Sequence, residues 1–341
     1  MASRQRVLVT GGAGFIGSNY VRRALETHPD WHMVVLDKLT YSGSLENLTG
    51  LPSERLAFVQ GDIADPAVVE EVVQGTEYVL NFAAESHVDR SLQDPRPFVK
   101  TNVEGTLVLL EESLRAGVRR FLHVSTDEVY GDIAGSVRHS LEEDPLQPRS
   151  PYAATKAAAE HLVMSYHISY GMDIVITRGS NTYGPRQYPE KIIPLFIVNA
   201  LQDKPLPVYG DGSAVRDYLH VDDHCTGIDT VLHEGASGGA YNLGAREQVN
   251  GVQVAKTILS TLEKPGTLIT HVPDRPGHDY RYSVDPAAAE KLGWERRFSF
   301  EEGLRKTVEW YLENPDWWQR IGADESYASF IRSWYMERSV E

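Results

Sequence analysis

The chain carries one cysteine in 341 residues, Cys225. It can form no intramolecular disulfide, so a reducing compartment is expected, and nothing beside it activates a thiol. Cys225 therefore reads as a small buried hydrophobe. No apolar run approaches the roughly 20 residues that cross a bilayer. Residues 1–6 run straight into the first strand-like segment and leave no room there for a signal peptide. A cytoplasmic protein is expected. Positive charge is short as well: 33 Lys plus Arg stand against 48 Asp plus Glu, a net charge of −15. That field repels a polyanion and argues against nucleic acid. A small anionic ligand is still admitted where local cations and helix N-termini override it. Internal repeats, low-complexity tracts and linker-like composition are missing too. No His, Cys and Asp residues recur at metal-ligand spacing, so no metal is expected.

What is present is ordinary for a globular enzyme, with 41% hydrophobic and 24% charged residues. Strand-like runs recur at 7–9, 33–36, 56–59, 78–82, 121–124 and 174–177. Helical spacing separates them at 16–25, 67–73 and 103–114. Such alternation predicts an α/β fold, a doubly wound parallel sheet of Rossmann type covered on both faces. From about residue 180, prolines 185, 189, 194, 205 and 207 break the alternation. Residues 1–180 are read as a dinucleotide-binding domain, rejoined by about 223–245, with a further strand at 240–243. Residues 181–341 are read mainly as a smaller α/β substrate domain. Residues 300–314 have the spacing of an amphipathic surface helix, and Trp310, Trp317, Trp318 and Trp334 read as packing anchors.

Three stretches carry chemistry. Thr10-Gly11-Gly12-Ala13-Gly14-Phe15-Ile16-Gly17 follows the first strand and opens a helix. Its Gly11, Gly14 and Gly17 form a G-x-x-G-x-x-G variant of the dinucleotide fingerprint, in which glycines allow the tight turn and the close approach of backbone to pyrophosphate. Asp37, at the end of the second strand, is placed to accept the adenosine ribose hydroxyls and to repel a 2′-phosphate, which favours NAD over NADP. The adjacent Lys38 leaves a small opening for NADP. Asp62, after the third strand, is a natural acceptor for the adenine amino group.

Tyr152 and Lys156 share one face of a helix. The ammonium, together with a bound nicotinamide cation, is expected to stabilise the phenolate and lower the tyrosine pKa from about 10. A Tyr so tuned serves as base for a sugar hydroxyl, and Ser125 and Thr126 at the preceding strand tip could orient it. Asp127 and Glu128 follow directly. An isolated Asp-Glu pair is usually a solvated turn. Outside the carboxyl end of a parallel strand, the two can divide a proton abstraction from a protonation.

The glycine fingerprint, the strand-tip Ser-Thr and Tyr152-x-x-x-Lys156 resemble the extended short-chain dehydrogenase/reductase family. Longer stretches narrow the resemblance to its nucleotide-sugar 4,6-dehydratases, with dTDP-glucose the expected substrate. They are Asp37-Lys38-Leu39-Thr40-Tyr41, Ala83-Ala84-Glu85-Ser86-His87-Val88-Asp89-Arg90, Thr126-Asp127-Glu128, Pro189-Glu190-Lys191, Pro207-Val208-Tyr209-Gly210 and Asp274-Arg275-Pro276-Gly277-His278. The resemblance covers essentially the whole chain.

It implies a tightly held NAD that is regenerated in each cycle. Tyr152 would take the C4 hydroxyl proton, Glu128 the C5 proton, and Asp127 would protonate the departing C6 hydroxyl. By the same resemblance Phe15, Ile16, Asp37, Lys38, Leu39, Thr40, Asp62, Ile63, Phe82, Ala83, Ala84, Ser86, Thr101 and Thr182 join the glycines, Tyr152 and Lys156 at the cofactor. Ser86 and Thr126 would touch the glucose. Asn181, Lys191, Ile192, Pro207, Tyr209, Arg216, Asn250, Arg275 and His278 would hold the nucleotide diphosphate, with Arg engaging phosphate bidentately.

The family also implies a homodimer through a four-helix bundle. It would be built from the Tyr152 helix and residues 103–114, although Leu107, Leu110, Leu114 and Leu162 equally suit an intrachain core. Two departures stand out: Thr182 occupies a position where the family has Asn, and residues 132–146 form a shorter segment than in many members. An epimerase has no use for the Asp127-Glu128 pair, and a decarboxylase would need a cation where Asp127 stands. A non-catalytic NAD sensor could discard Tyr152, Lys156 and both carboxylates, yet all four are kept.

Overall fold

The computed structural model describes residues 5–134, 137–274 and 279–332. Six strands in chain order build most of the central sheet: β1 (Gln5–Thr10), β2 (Trp31–Asp37), β3 (Leu56–Gln60), β4 (Tyr78–Asn81), β5 (Arg120–Thr126) and β6 (Ile174–Gly179). A seventh, β7 (Gly239–Leu243), returns late in the chain to the edge beside β6. The order is β7-β6-β5-β4-β1-β2-β3, and every pairing is parallel. The direction in which successive strands are added reverses between β1 and β4, and a doubly wound sheet opens its ligand crevice at such a switch point.

The strands are apolar because both faces are covered. Val7 and Val9 pack into a cluster with α1 (Phe15–Thr27) and, further on, α4 (Val221–Glu234). Leu8 points the other way, into a cluster with α2 (Thr106–Ala116) and α3 (Pro151–Tyr170). The helical spacing at 103–114 resolves into two pieces. Residues Val99–Gly105 form a π-helical stretch that runs directly into α2. Gly105 lies so close to Ile63 that a Cβ there would be 2.6 Å from its side chain.

Beyond β6 a separate apolar cluster gathers Ile193, Phe196, Leu206, Val254, Leu304 and Tyr311. It is framed by a three-stranded sheet of Gln248–Asn250, Val215–His220 and Asn181–Tyr183, and by a parallel pair, Leu206–Tyr209 with Ile269–Val272. The amphipathic helix spans Phe300–Glu313 behind a Ser299 capping box. Trp317 and Trp318 are buried in this second cluster, and the Trp317 indole donates to Asn47 Oδ1 (2.9 Å). Trp334 lies outside the described residues. Among the described residues no helix is long and apolar enough to cross a membrane.

Candidate functional site

Two adjoining cavities open at the carboxyl ends of the strands. Phe15, Ile16, Ser86, Ser125, Tyr152 and Lys191 line both.

The first is a cleft beside the glycine-rich turn after β1. β1 ends at Thr10, and Gly11 turns the chain with φ of +68°. A Cβ on Gly11 would stand 2.6 Å from the Ala83 nitrogen, and one on Gly17 would stand 2.4 Å from the Gly11 carbonyl oxygen. Only glycine fits either position without moving backbone. The α1 N-terminus therefore faces the cleft at close range, with Gly14 as its N-cap and no side chain closing it. Asp37 organises this loop: its carboxylate accepts the Ala13 N–H (2.9 Å) and the Leu39 N–H (2.8 Å). Burial raises its pKa, and these two bonds work against the rise.

Lys38 is committed to Asp62 at 2.7 Å, and Lys100 stands 3.7 Å from the same carboxylate. Burial opposes the charge on Asp62, but Lys38, the Ala64 N–H and Lys100 hold its pKa below the usual value. With its ammonium so engaged, Lys38 is a poor receptor for a 2′-phosphate. Gly11, Gly14, Gly17, Asp37, Lys38, Thr40, Asp62, Ile63, Phe82, Ala83, Ala84, Thr101 and Lys156 line this cleft. Leu39 does not: with φ of +55°, it turns its side chain onto the β1–α1 core. Thr182 lines the second cavity instead, and its hydroxyl bonds the Ser180 carbonyl (3.0 Å) and His224 Nδ1 (2.7 Å).

β5 runs on to Thr126, two residues past the apolar run, because Ser125 and Thr126 still pair with Arg178 and Gly179 of β6. Thr126 then caps a short 3₁₀ turn, Asp127–Tyr130, by accepting the Glu128 N–H (3.3 Å). Asp127 is therefore buried, 2% exposed, while Glu128 is half-buried at the second cavity. Burial pushes the Asp127 pKa well above the usual carboxyl value. Glu128 and Asp217 push the same way, against Arg216 and the Thr126 hydroxyl. Among the described residues its Oδ2 has no hydrogen-bond partner, and neither do the buried Ser125 Oγ and Asn181 Oδ1 that line the same cavity.

Ser150 caps α3 by accepting the Ala153 N–H (3.1 Å), with Pro151 at the first helical position. Tyr152 and Lys156 follow on its buried face. Lys156, 3% exposed, donates to the Val124 carbonyl at 2.6 Å, and burial lowers its pKa to about 8 against the attraction of Glu160. Tyr152 contacts the Thr126 hydroxyl. Burial raises its pKa, as do Glu128 and Asp127, while Thr126 opposes the rise. The expected lowering of the tyrosine pKa by Lys156 is thus not built into the chain itself. A strand carbonyl takes the ammonium, and the phenol faces two carboxyl groups.

Around the second cavity, Ser86, Thr126, Asn181, Lys191, Ile192, Pro207, Tyr209 and Arg216 come together. Arg216 is held along a neighbouring segment by the carbonyls of Val215 (2.9 Å) and Asp279 (2.8 Å), and its guanidinium lies 4.9 Å over the Tyr282 ring. Lys191 donates to the Ser86 carbonyl at 2.9 Å. Asn250 caps the helix Gly251–Thr261, its side-chain Oδ1 accepting the Gln253 N–H (2.8 Å), and the adjacent Gly251 lines the cavity. Arg275 and His278 lie outside the described residues.

Sequence reading missed the network behind the Tyr-Lys pair. Thr10 Oγ1 donates to Asn81 Oδ1 (2.7 Å), and Asn81 Nδ2 reaches His123 Nδ1 (3.2 Å). His123 Nδ1 then accepts, which puts the proton of the neutral ring on Nε2, 3.4 Å from Lys156 Nζ. Two donors meet there, so the Val124 carbonyl is what holds the ammonium. Asn102 clasps the Glu85 backbone (2.9 and 3.0 Å) and donates to Thr155 Oγ1 (2.9 Å), joining the cleft wall to α3. The available signal was a polar residue inside a buried run: Asn81 in β4 and His123 in β5.

A glycine cradle, a carboxylate at the end of the second strand and a buried Tyr-Lys helix define an extended short-chain dehydrogenase/reductase architecture with two adjacent carboxyl groups added at the strand tip. Comparison with known proteins narrows this. The family model described as GDP-mannose 4,6 dehydratase matches residues 8–307. A dTDP-glucose 4,6-dehydratase of Streptomyces niveus is 46% identical over 331 residues, 95% of this chain and 98% of the relative. The low-salt glycan biosynthesis protein Agl12 of Haloferax volcanii is 49% identical over 309 residues, 90% of this chain and 98% of its own. Among solved structures, the dTDP-glucose 4,6-dehydratase DesIV of Streptomyces venezuelae, with NAD bound, is 46% identical. It superposes with a TM-score of 0.90 over 93% of this chain and 100% of its own. A UDP-glucose 4-epimerase of Thermotoga maritima is 32% identical, with a TM-score of 0.84 over 91% of this chain and 100% of its own. The chain belongs to the nucleotide-sugar 4,6-dehydratase family within the extended short-chain dehydrogenases/reductases.

Proposed function

We propose that the chain is an NAD-dependent dTDP-glucose 4,6-dehydratase, a lyase that removes water across C5 and C6 to give a 4-keto-6-deoxy sugar. The carrying observation is the buried Asp127, its pKa raised by burial and by the half-buried Glu128 beside it, at a strand tip that shares a cavity with Tyr152. The cleft suits NAD: glycines that tolerate no Cβ line it, a helix N-terminus faces it and the Asp37 carboxylate bounds it. When bound, NAD supplies the hydride acceptor at C4, the hydride donor at C6 and the positive charge that favours the Tyr152 phenolate.

The chain's residues divide the proton transfers. Tyr152, oriented by Thr126, takes the proton of the C4 hydroxyl, and the 4-ketone so formed acidifies C5–H. Glu128 takes the C5 proton while Asp127 gives its proton to the C6 hydroxyl, which leaves as water. Glu128 then returns its proton to C5 as the methyl carbon forms at C6. An acid that stays neutral at working pH and a base beside it are the pairing that elimination needs. An epimerase shares the fold but needs neither. Lys191 and Arg216 supply cationic charge for the diphosphate in an otherwise acidic protein.

The protein is further read as a cytoplasmic homodimer paired through α2 and α3. Its lone thiol is buried. Leu110 is consumed by the core, whereas Leu107 and Leu162 are partly buried and Leu114 is 37% exposed, leaving an apolar edge for a partner helix pair. Light scattering at the mass of a single chain would remove that part of the reading.

The deciding experiment incubates the purified protein with dTDP-, UDP-, CDP- and GDP-sugars and follows the alkali-induced absorbance of a 4-keto product, expected first with dTDP-glucose. A keto-sugar from none of them overturns the proposal. Glu128→Gln should still oxidise C4 yet lose solvent-deuterium exchange at C5, and normal exchange would reject Glu128 as base.

A further inference from the structure

The N-terminus of α1 faces the cofactor cleft; its other end carries a second constellation. α4 presents Asp229 and His233 at i and i+4, one above the other on one face. Residues of both helices, among them Ala24 and Leu25 of α1 and Ile228 and Leu232 of α4, share one apolar cluster. That packing brings His28, the C-cap residue of α1, against Asp229. His28 Nε2 stands 3.0 Å and 3.2 Å from the two Asp229 oxygens, and His233 Nε2 stands 3.9 Å from Oδ1. One ligand atom from each of the three residues lies within 4.8 Å of the others. The separation of 201 residues between His28 and Asp229 explains why no sequence spacing announced the group.

The surroundings hold these side chains in place. The Tyr20 hydroxyl, on α1, donates to Asp229 Oδ1 (3.1 Å). Buried Trp31 stacks on His28 (4.0 Å between centroids, 15° between planes) and tilts against His233 (5.8 Å). Tyr78 packs edge-on against His233 (5.9 Å). The nearby cation, Arg120, is already engaged by Asp173 (3.0 Å) and the Leu232 carbonyl (2.8 Å). Two imidazoles and one carboxylate give a net charge of −1 toward a cation.

Tetrahedral bonds of about 2.0–2.2 Å set ligand atoms about 3.3–3.6 Å apart. His28 Nε2 stands a few tenths of an ångström inside that spacing from the Asp229 oxygens. His233 is exposed, and its side chain is free to close in from 3.9 Å on Asp229 and from within 4.8 Å of His28. The Tyr20–Asp229 bond supplies the outer-shell support that metal-bound carboxylates use. We propose that His28, Asp229 and His233 form a surface site for a divalent transition-metal ion, zinc foremost, with solvent completing the coordination and the ion fastening the end of α1 to α4.

The test takes tag-free full-length protein, dialysed against chelator and then into metal-free buffer, and titrates it with zinc chloride by calorimetry. Cobalt(II) serves as a spectroscopic probe. The expected result is one equivalent bound with visible cobalt d–d bands. Affinity should fall roughly tenfold or more in His28→Gln and in His233→Gln, with 4-keto-sugar formation unchanged. Because the His233 side chain is exposed, its variant should fold and carry the test even if the other does not. Lack of stoichiometric binding by the wild type, or undiminished binding by His233→Gln, overturns the proposal.

Discussion

Lys156 is an ammonium kept where water is not, and its removal should stabilise the protein while ending catalysis. Burial brings its pKa down to about 8 from an ordinary 10.5. At about 1.4 kcal/mol per unit, carrying the proton in the folded chain at pH 7 costs roughly 3 kcal/mol relative to the unfolded chain. Lys156→Met keeps the length of the stem and leaves no large void. It also deprives the Val124 carbonyl of its 2.6 Å donor, a loss of about 1–2 kcal/mol. The net expectation is a gain of about 1–2 kcal/mol at pH 7.

The pH dependence supplies the sharper check. The folded pKa lies below the unfolded one, so between pH 8 and about 10.4 the unfolded chain binds more protons, and wild-type stability rises with pH. The variant lacks that rise, so its advantage should shrink across the window, vanish about midway and become a deficit of about 1–2 kcal/mol near its upper end. Urea midpoints of the cofactor-free proteins at pH 7 and pH 9.5 read both effects, and turnover should fall by at least ~10²-fold. A variant destabilised equally at both pH values would refute the account of Lys156 as a strained, desolvated charge.

The parts of this molecule that the sequence announced are those carried by neighbours in the chain. Gly11, Gly14 and Gly17 lie within one turn. Tyr152 and Lys156 share a helix face, and Asp127 and Glu128 are adjacent. The parallel sheet was legible because strands covered on both faces lose alternation, as β1 does with Val7 and Val9 on one side and Leu8 on the other. Even β7 could be placed, from a short apolar run at 240–243.

What stayed hidden depends on partners far apart in sequence. Nothing near Lys156 tells that a β5 carbonyl captures its ammonium, or that the phenol it was expected to activate looks toward carboxyl groups. Nothing near Asp127 announces Asp217, whose own pKa burial lifts to about 6 against three backbone N–H groups from residues 245–247. Likewise the three-residue strands Asn181–Tyr183 and Gln248–Asn250 are too short for any periodicity to register. Leu39 shows a related limit: a family motif names a position but not the positive φ that turns its side chain onto the core.

Three further perturbations probe these layers. Asp127→Asn keeps the side-chain volume but has no acidic proton to give. C4 oxidation and C5 exchange should persist while dTDP-glucose dehydration slows by roughly 10²–10⁴-fold, read as deuterium incorporation against keto-sugar yield. Gly11→Ala should release NAD and lower the melting temperature, because its Cβ would meet Ala83 backbone at 2.6 Å with φ at +68°; a variant that copurifies with full NAD would contradict the cradle. The last concerns Asn102, which touches neither cavity. Its amide makes three hydrogen bonds, two part-buried to Glu85 and one buried to Thr155, and so fixes the cleft wall to the helix that aims Tyr152. Asn102→Ala leaves the Glu85 N–H and C=O unpaired, a destabilisation of about 2–4 kcal/mol. Because the unfastened wall borders the cofactor cleft, NAD should dissociate faster while the Glu128-dependent C5 exchange, measured at saturating NAD, stays near wild type. Equal losses in both would mean that Asn102 supports the fold generally rather than joining the wall to α3.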